Sequence, residues 1–142
     1  MKALLCLAPL AILPLLPIAQ EPDADESEID RQMEVVEDAI GKLRRSLRDE
    51  AKNEESLAAV ATIEAAVLKS KLLTPKMAAA VPEAERQAFV RAYRKELCAM
   101  LRDLLELEDA LLDRDYERAA PIFKQVRQLE EPAHERFTAD EE

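Results

Sequence analysis

The apolar seam between residues 90 and 111 is the feature that most restricts how this chain can fold. Its seven members recur at alternating intervals of three and four residues: Val90, Tyr93, Leu97, Met100, Leu104, Leu107 and Leu111. That spacing places all of them on one face of a single long α-helix. Because a helix with one apolar face is stable only when other elements cover it, the chain must supply partners for this face.

Three other segments carry apolar stripes with helical spacing. The predicted helices span residues 28–51, 54–72, 82–112 and 116–137. Their composition agrees with this, since the chain has one glycine in 142 residues and few aromatic side chains. Four amphipathic helices with short connections predict an all-α fold, an antiparallel up-down-up-down four-helix bundle. The stripes that accompany the seam of the third helix are Ile29, Met33, Val36, Ile40, Leu43 and Leu47; Leu57, Val60, Ile63 and Val67; and Ala119, Ile122, Val126, Leu129 and Ala133.

Prolines mark where the helices are interrupted. Pro75 and Pro82 bracket the longest connection, because each disfavours helix in the residue before it. Pro132 lies inside the last predicted helix, where it removes one backbone hydrogen bond and collides with the carbonyl of Gln128. We therefore expect a kink there, or a break with Pro132 opening a final short helix.

The N-terminal residues are typical of an exported protein. Lys2 is followed by an apolar run over residues 3–18, which is too short for a confident membrane span. We predict a signal peptide over residues 1–19, an acidic lead-in over 20–27 and the four-helix bundle domain over 28–142. A retained anchor is the alternative. The expected location is the periplasm, without stable membrane insertion after cleavage.

The charge of the chain restricts its partners. The whole chain has a formal net charge of −10, and loss of Lys2 with the signal peptide would lower it to −11. A surface that acidic repels nucleic acid and favours a partner protein with a basic patch. After cleavage Cys98 would be the only cysteine, which excludes an internal disulfide. We expect Cys98 to be a small buried residue on a helix flank.

His134 is the only histidine in the chain, so a metal site that uses it needs other ligand types. In an up-down-up-down bundle, the start of the first helix and the end of the last lie side by side. At 1.5 Å per residue, Met33 lies about 8 Å into the first helix and His134 about 5 Å from the end of the last. Periodicity thus places a thioether and an imidazole at similar depth, but does not indicate what lies between them.

Three motifs lie at the start, in the third helix and at the end of the predicted bundle: Ile29-Asp30-Arg31-Gln32-Met33-Glu34-Val35-Val36, Leu107-Glu108-Asp109-Ala110-Leu111 and Glu131-Pro132-Ala133-His134-Glu135-Arg136-Phe137. The connection Thr74-Pro75 and the pair Ala119-Ala120 accompany them. In this order the motifs resemble the cytochrome b562 family, and the similarity extends over the part that follows the predicted signal peptide.

This resemblance implies a periplasmic electron-transfer protein rather than an enzyme. It implies one non-covalent haem b, with Met33 and His134 as the two axial ligands of the iron. Phe89 and Tyr93 match the family's ring pair four residues apart, and Phe137 is expected to help exclude water from the porphyrin. Because both axial positions would be filled, the expected activity is one-electron exchange with a redox partner protein. No Cys-x-x-Cys-His motif is present for covalent haem attachment.

Two other functions compete with this one. A haemless periplasmic four-helix bundle could act as a binding or chaperone-like protein, with Met33 in the core and His134 at the surface. A di-iron carboxylate enzyme would use Glu131 and His134, which have the right local spacing, but it needs a second Glu-x-x-His motif that the chain lacks. The remaining candidate ligands for such a site are more typical of solvated flanks: Glu34, Glu37, Glu106 and Glu108.

Overall fold

The computed structural model describes residues 24–137, with side chains described from 28 to 129. Four α-helices make up most of this part: α1 (Ala24–Ser46), α2 (Asn53–Ser70), α3 (Glu83–Leu112) and α4 (Tyr116–Phe137). Short 3-10 helices at Glu50–Lys52 and Lys76–Ala79 lie in the connections. The described residues include no β-strand, so the predicted all-α class is confirmed and the fold is consistent with a helical bundle.

The largest difference from the predicted boundaries is in α1, which begins at Ala24 and ends at Ser46 rather than near residue 51. Asp49 explains the earlier end. Its backbone is extended, with φ −137° and ψ 107°, and its side chain accepts a hydrogen bond from the backbone N–H of Ala51. Aspartate at a helix N-terminus stabilises a new start, so the chain begins a 3-10 helix there instead of continuing α1.

The connection between α3 and α4 is as tight as the sequence predicts. Arg114 has a positive φ of 57°, which turns the chain after α3. Asp115 then accepts a hydrogen bond from the backbone N–H of Arg118 through Oδ1, over 3.0 Å. This satisfies one of the N–H groups that the first turn of α4 leaves without an intrahelical partner.

The main core lies between the apolar faces of all four helices. Six of the seven seam residues of α3 are buried, and the seventh, Val90, is half-buried. The largest completely enclosed apolar side chains are Val36, Leu43, Val60, Ile63, Leu104, Leu107, Leu111 and Val126. Small residues such as Ala59, Ala66 and Ala110 are also buried, so the alanines of these helices let backbones approach closely.

Successive helices pack closely, in the pairs α1–α2, α2–α3 and α3–α4. Within the described part of the chain, α1 and α4 are not among the closely packed pairs. Polar bonds join both ends of α2 to α3. Asn53 Nδ2 donates to the carbonyl oxygen of Leu111 over 3.1 Å, and the hydroxyl of Tyr93 donates to the carbonyl oxygen of Ser70 over 2.9 Å.

Of the two alternatives predicted at Pro132, the break is wrong, because α4 is one helix from Tyr116 to Phe137. The kink stays a prediction. The expectation about Cys98 is wrong as well. Cys98 is exposed instead of buried. It follows the buried Leu97, and one residue turns an α-helix by about 100°, which carries the thiol out of the core. None of the described helices combines the length and apolar character needed to cross a membrane.

Candidate functional site

Met33 lies in the first half of α1 and is half-buried. Ile29 and Val36, on either side of it along the seam, are 6% and 1% exposed, and Gln32 is 5% exposed. Gln32 is kept in this buried position by a hydrogen bond from its Nε2 to Glu28 Oε1, over 2.7 Å. Gln32, rather than Met33, therefore takes the more enclosed position in this turn.

Met33 lies outside the main core cluster of the described side chains and is not among the partly buried residues packed against it. Ile29, which is only 6% exposed, also lies outside that cluster, so this position does not distinguish a core residue from a ligand. Both interpretations of Met33 stay predictions.

The flank of α1 on which Met33 lies is opposite a groove that α1 forms with α2. The groove is lined on the α1 side by Val35, Asp38, Ala39 and Lys42. Because successive residues rotate by about 100°, Met33 lies about half a turn around α1 from the middle of that set.

The two predicted partners of Met33 on α4 can be placed only by their backbone. His134 and Phe137 both belong to the last turns of α4, which continues to Phe137 without interruption. Their side chains lie outside the described residues, as does Ala133 of the predicted seam. The pairing of Met33 with His134 therefore stays a prediction.

The predicted ring pair of α3 lies on the core side of the helix. Tyr93 is 5% exposed, and Phe89 is half-buried and packed against the core. Burial raises the pKa of Tyr93 to about 12, and its hydroxyl is the donor to Ser70 described above. Tyr93 therefore has a structural role between α2 and α3, and its predicted haem contact stays untested, as does that of Phe89.

Two buried carboxylate oxygens were not predicted. Glu64 Oε1 and Asp103 Oδ2 are enclosed and have no hydrogen-bond partner among the described residues. Burial raises the pKa of Glu64, and the nearby carboxylate of Glu108 raises it further. The sequence could have indicated that these two carboxylates are partly enclosed, because Glu64 and Asp103 are next to the seam residues Ile63 and Leu104. A residue beside a seam position lies at the edge of the core.

These carboxylates do not assemble into a metal site. Within the described part of the chain, no group of three or more His, Cys, Asp or Glu side chains is placed to hold a metal ion. Glu34, Glu37 and Glu106 are exposed, as expected for solvated flanks, whereas Glu108 is half-buried. The di-iron interpretation thus gains no support from the described residues.

The described residues define an all-helical protein with four α-helices. Assignment to a protein family requires comparison with known proteins. The chain matches no protein-family model, no curated protein and no solved structure. The resemblance to the cytochrome b562 family therefore rests on the sequence motifs alone, and a haem site built on Met33 and His134 is a proposal.

Proposed function

We propose that this chain is a periplasmic electron-transfer protein that binds one haem b non-covalently between α1 and α4. Met33 and His134 would hold the iron from opposite faces, in a bundle with antiparallel up-down-up-down topology. Residues 1–19, the predicted signal peptide, lie outside the described residues. The observation that carries the proposal is the position of Met33, which is half-buried, outside the main core cluster of the described side chains and opposite the groove that α1 forms with α2.

The hydrogen bonds between helices support the antiparallel topology. The first residue of α2, Asn53, is bonded to Leu111 near the end of α3, whereas the last residue of α2, Ser70, is bonded to Tyr93 in the first half of α3. The start of α2 therefore lies beside the end of α3, and the end of α2 lies beside the first half of α3, as expected for two antiparallel helices. The end of α1 meets the start of α2 through Ser46 and Ser56, whose hydroxyl oxygens are 2.8 Å apart.

The donor set suits a low-spin haem. A thioether is a soft, neutral ligand that favours ferrous iron, and an imidazole is a common partner to it. The haem would supply the one-electron redox chemistry, and the protein would exclude water from the iron and fix the two ligands. Phe89, Tyr93 and Phe137 are the rings predicted to contact the porphyrin. A redox partner with a basic patch would meet exposed acids such as Glu34 and Asp38.

The test is a haem titration followed by absorption spectroscopy. Purified protein without its signal peptide is mixed with haemin, and spectra are recorded in the oxidised and reduced states. We expect stoichiometric binding and sharp six-coordinate bands on reduction. Met33→Ala and His134→Ala should each remove these bands, because one axial position then becomes open.

Met77→Ala is the matched control, because Met77 is also half-buried but lies in the 3-10 helix after α2. Its spectrum should equal that of the wild type. Six-coordinate bands that persist unchanged in Met33→Ala or His134→Ala would remove that residue from the ligand role. A protein that binds no haemin would remove the whole proposal and leave the haemless alternative.

A further inference from the structure

The basic residues of this acidic chain are concentrated in one segment. Between residues 69 and 102 there are eight lysines and arginines and three glutamates, a net charge of +5. The whole chain carries −10, so the rest of it carries −15. This segment covers the end of α2, the connection that follows it and the first two thirds of α3.

Part of this segment forms an open groove along α3. The groove has a volume of about 710 Å³ and lies beside Thr74 and the solvent face of the helix. Arg86, Arg91, Arg94 and Lys95 line it, and Glu83 is the one carboxylate among its lining residues. From residue 83 to residue 98 the helix rises about 22 Å, so the groove is long and narrow.

The charges of the groove are available to an outside partner. Arg91, Arg94 and Lys95 are exposed and, within the described part of the chain, form no ion pair. Arg86 is held differently, since its Nε donates to the carbonyl oxygen of Ala78 over 3.0 Å, which ties the start of α3 to the preceding 3-10 helix. Three exposed cations that have no ion pair among the described residues thus line one groove of α3.

The shape and charge of the molecule restrict what can fill this groove. A membrane surface or a nucleic acid duplex is anionic over a wide area, so the strongly acidic remainder of the chain would repel it. A single extended peptide is narrow enough to contact the basic groove alone, because charges beyond about 8 Å are largely screened at physiological salt. At about 3.3 Å per residue, six or seven extended residues would match the length of about 22 Å.

We propose that the groove of α3 binds an acidic peptide segment of a partner protein. Arg91, Arg94 and Lys95 pair with carboxylates of the segment, and Val90, which is half-buried, provides an apolar floor. This inference is independent of the haem proposal, because it uses neither Met33 nor His134. It adds a second interaction surface, of opposite charge to the rest of the molecule.

The experiment measures the fluorescence anisotropy of a labelled oligoglutamate of about eight residues, titrated with the protein without its predicted signal peptide. We expect saturable binding that weakens as the salt concentration rises from about 0.05 M to about 0.3 M. The variant Arg91→Gln/Arg94→Gln/Lys95→Gln should bind about tenfold more weakly, since each exposed ion pair contributes a fraction of a kcal/mol to about 1 kcal/mol. Glu83→Gln should bind more tightly, because it removes a repulsive carboxylate.

The control variant is Arg44→Gln/Lys124→Gln/Arg127→Gln, which removes the same charge from exposed positions on α1 and α4. Its affinity should stay within about twofold of the wild type. Equal weakening in both triple variants would overturn the proposal, because it would show an effect of net charge alone. Absence of peptide binding would do the same, as would groove-dependent binding to phosphatidylserine vesicles with the peptide bound no better.

Discussion

Asn53, the first residue of α2, donates a hydrogen bond from Nδ2 to the carbonyl oxygen of Leu111, near the end of α3. The same amide also accepts a hydrogen bond through Oδ1 from the hydroxyl of Tyr116, the first residue of α4, over 3.1 Å. Asn53 is 4% exposed. One buried side chain thus joins three helices at one end of the fold, and both of its polar atoms have partners there.

Replacing Asn53 should lower the stability of the protein substantially. We expect Asn53→Ala to reduce the free energy of unfolding by about 1–3 kcal/mol, because the buried amide makes two hydrogen bonds, each worth about 0.5–1.5 kcal/mol. The Leu111 carbonyl keeps its bond from the Arg114 N–H, and the Tyr116 hydroxyl keeps the Glu50 carbonyl. Urea denaturation followed by circular dichroism measures this. Gln128→Ala, at an exposed position of α4, is the control and should change stability by less than about 0.5 kcal/mol. Equal stabilities of the two variants would contradict the role given to Asn53.

The hydroxyls of Ser46 and Ser56 should show coupled effects. Ser56 Oγ donates to Ser46 Oγ over 2.8 Å, and Ser46 Oγ donates to the carbonyl oxygen of Leu43. We expect Ser56→Ala and Ser46→Ala each to cost about 1 kcal/mol, and the double variant to cost less than their sum by about 0.5 kcal/mol or more. A double-mutant cycle of unfolding free energies measures the difference. Strict additivity would show that the contact contributes nothing.

Two leucines of α3 have the same side chain but differ in burial, so their substitution measures the effect of burial alone. Leu107 is completely buried, whereas Leu105, two positions earlier, is 55% exposed. We expect Leu107→Ala to reduce the free energy of unfolding by about 2–5 kcal/mol through lost apolar burial and a residual cavity. Leu105→Ala should change it by less than about 0.5 kcal/mol. Thermal or urea unfolding measures both, and a larger loss for Leu105→Ala would mean that α3 presents another face to the core.

Glu64 should make stability depend on pH. The pKa of Glu64 is raised in the folded state. Its favourable contribution to the free energy of unfolding is therefore fully present below the pKa of the unfolded chain, near 4.5, and is lost as the pH rises through the higher pKa of the folded protein. We expect Glu64→Gln to be more stable than the wild type at neutral pH by a few tenths of a kcal/mol, because half-exposure screens the charge. This gain should vanish at acidic pH, where both forms are neutral.

The matched control for Glu64 is Glu37→Gln, which changes an exposed carboxylate of α1. Unfolding midpoints of both variants and the wild type are measured between acidic and neutral pH. The difference between Glu64→Gln and the wild type should grow with pH, and that of Glu37→Gln should not. A pH-independent difference for Glu64→Gln would show that burial does not disfavour its charge.

Periodicity predicted the helices well because burial on one face repeats along each of them. The bounds of α4 agree with the prediction, and the seam of α3 is buried over six of its seven members. Local chemistry that competes with periodicity was harder to predict. Asp49 ends α1 early by opening a 3-10 helix, although the apolar stripe continues to Leu47, which is half-buried.

The errors at single positions have one geometric cause. Phe123, which is 9% exposed, was missed as a core residue, and Cys98 was placed in the core although it is exposed. Gln32 is buried beside Met33, where the stripe predicted the methionine alone. Each of these residues is next to a predicted seam position. A rotation of a helix by a few tens of degrees exchanges such neighbours, and spacing within one helix does not specify that rotation.

Only some residues of the predicted site lie among the described side chains. Met33 is half-buried in the first half of α1, and Tyr93 lies in the core with its hydroxyl bonded to Ser70. The side chains of His134 and Phe137 lie outside the described residues. Their part in the site is still predicted from sequence motifs, and the haem titration tests it directly.

The amino-acid sequence by itself determined the all-helical class, the number of helices and most of the buried face of each, because apolar spacing within a helix dictates which side avoids water. Only the tertiary structure decided which side chains from different helices meet. The bonds of Asn53 to Leu111 and of Tyr93 to Ser70 depend on how the helices are offset and rotated against each other. So does the position of Thr74 beside the basic groove of α3. Offset and rotation follow from the packing of whole surfaces, which no single helix encodes.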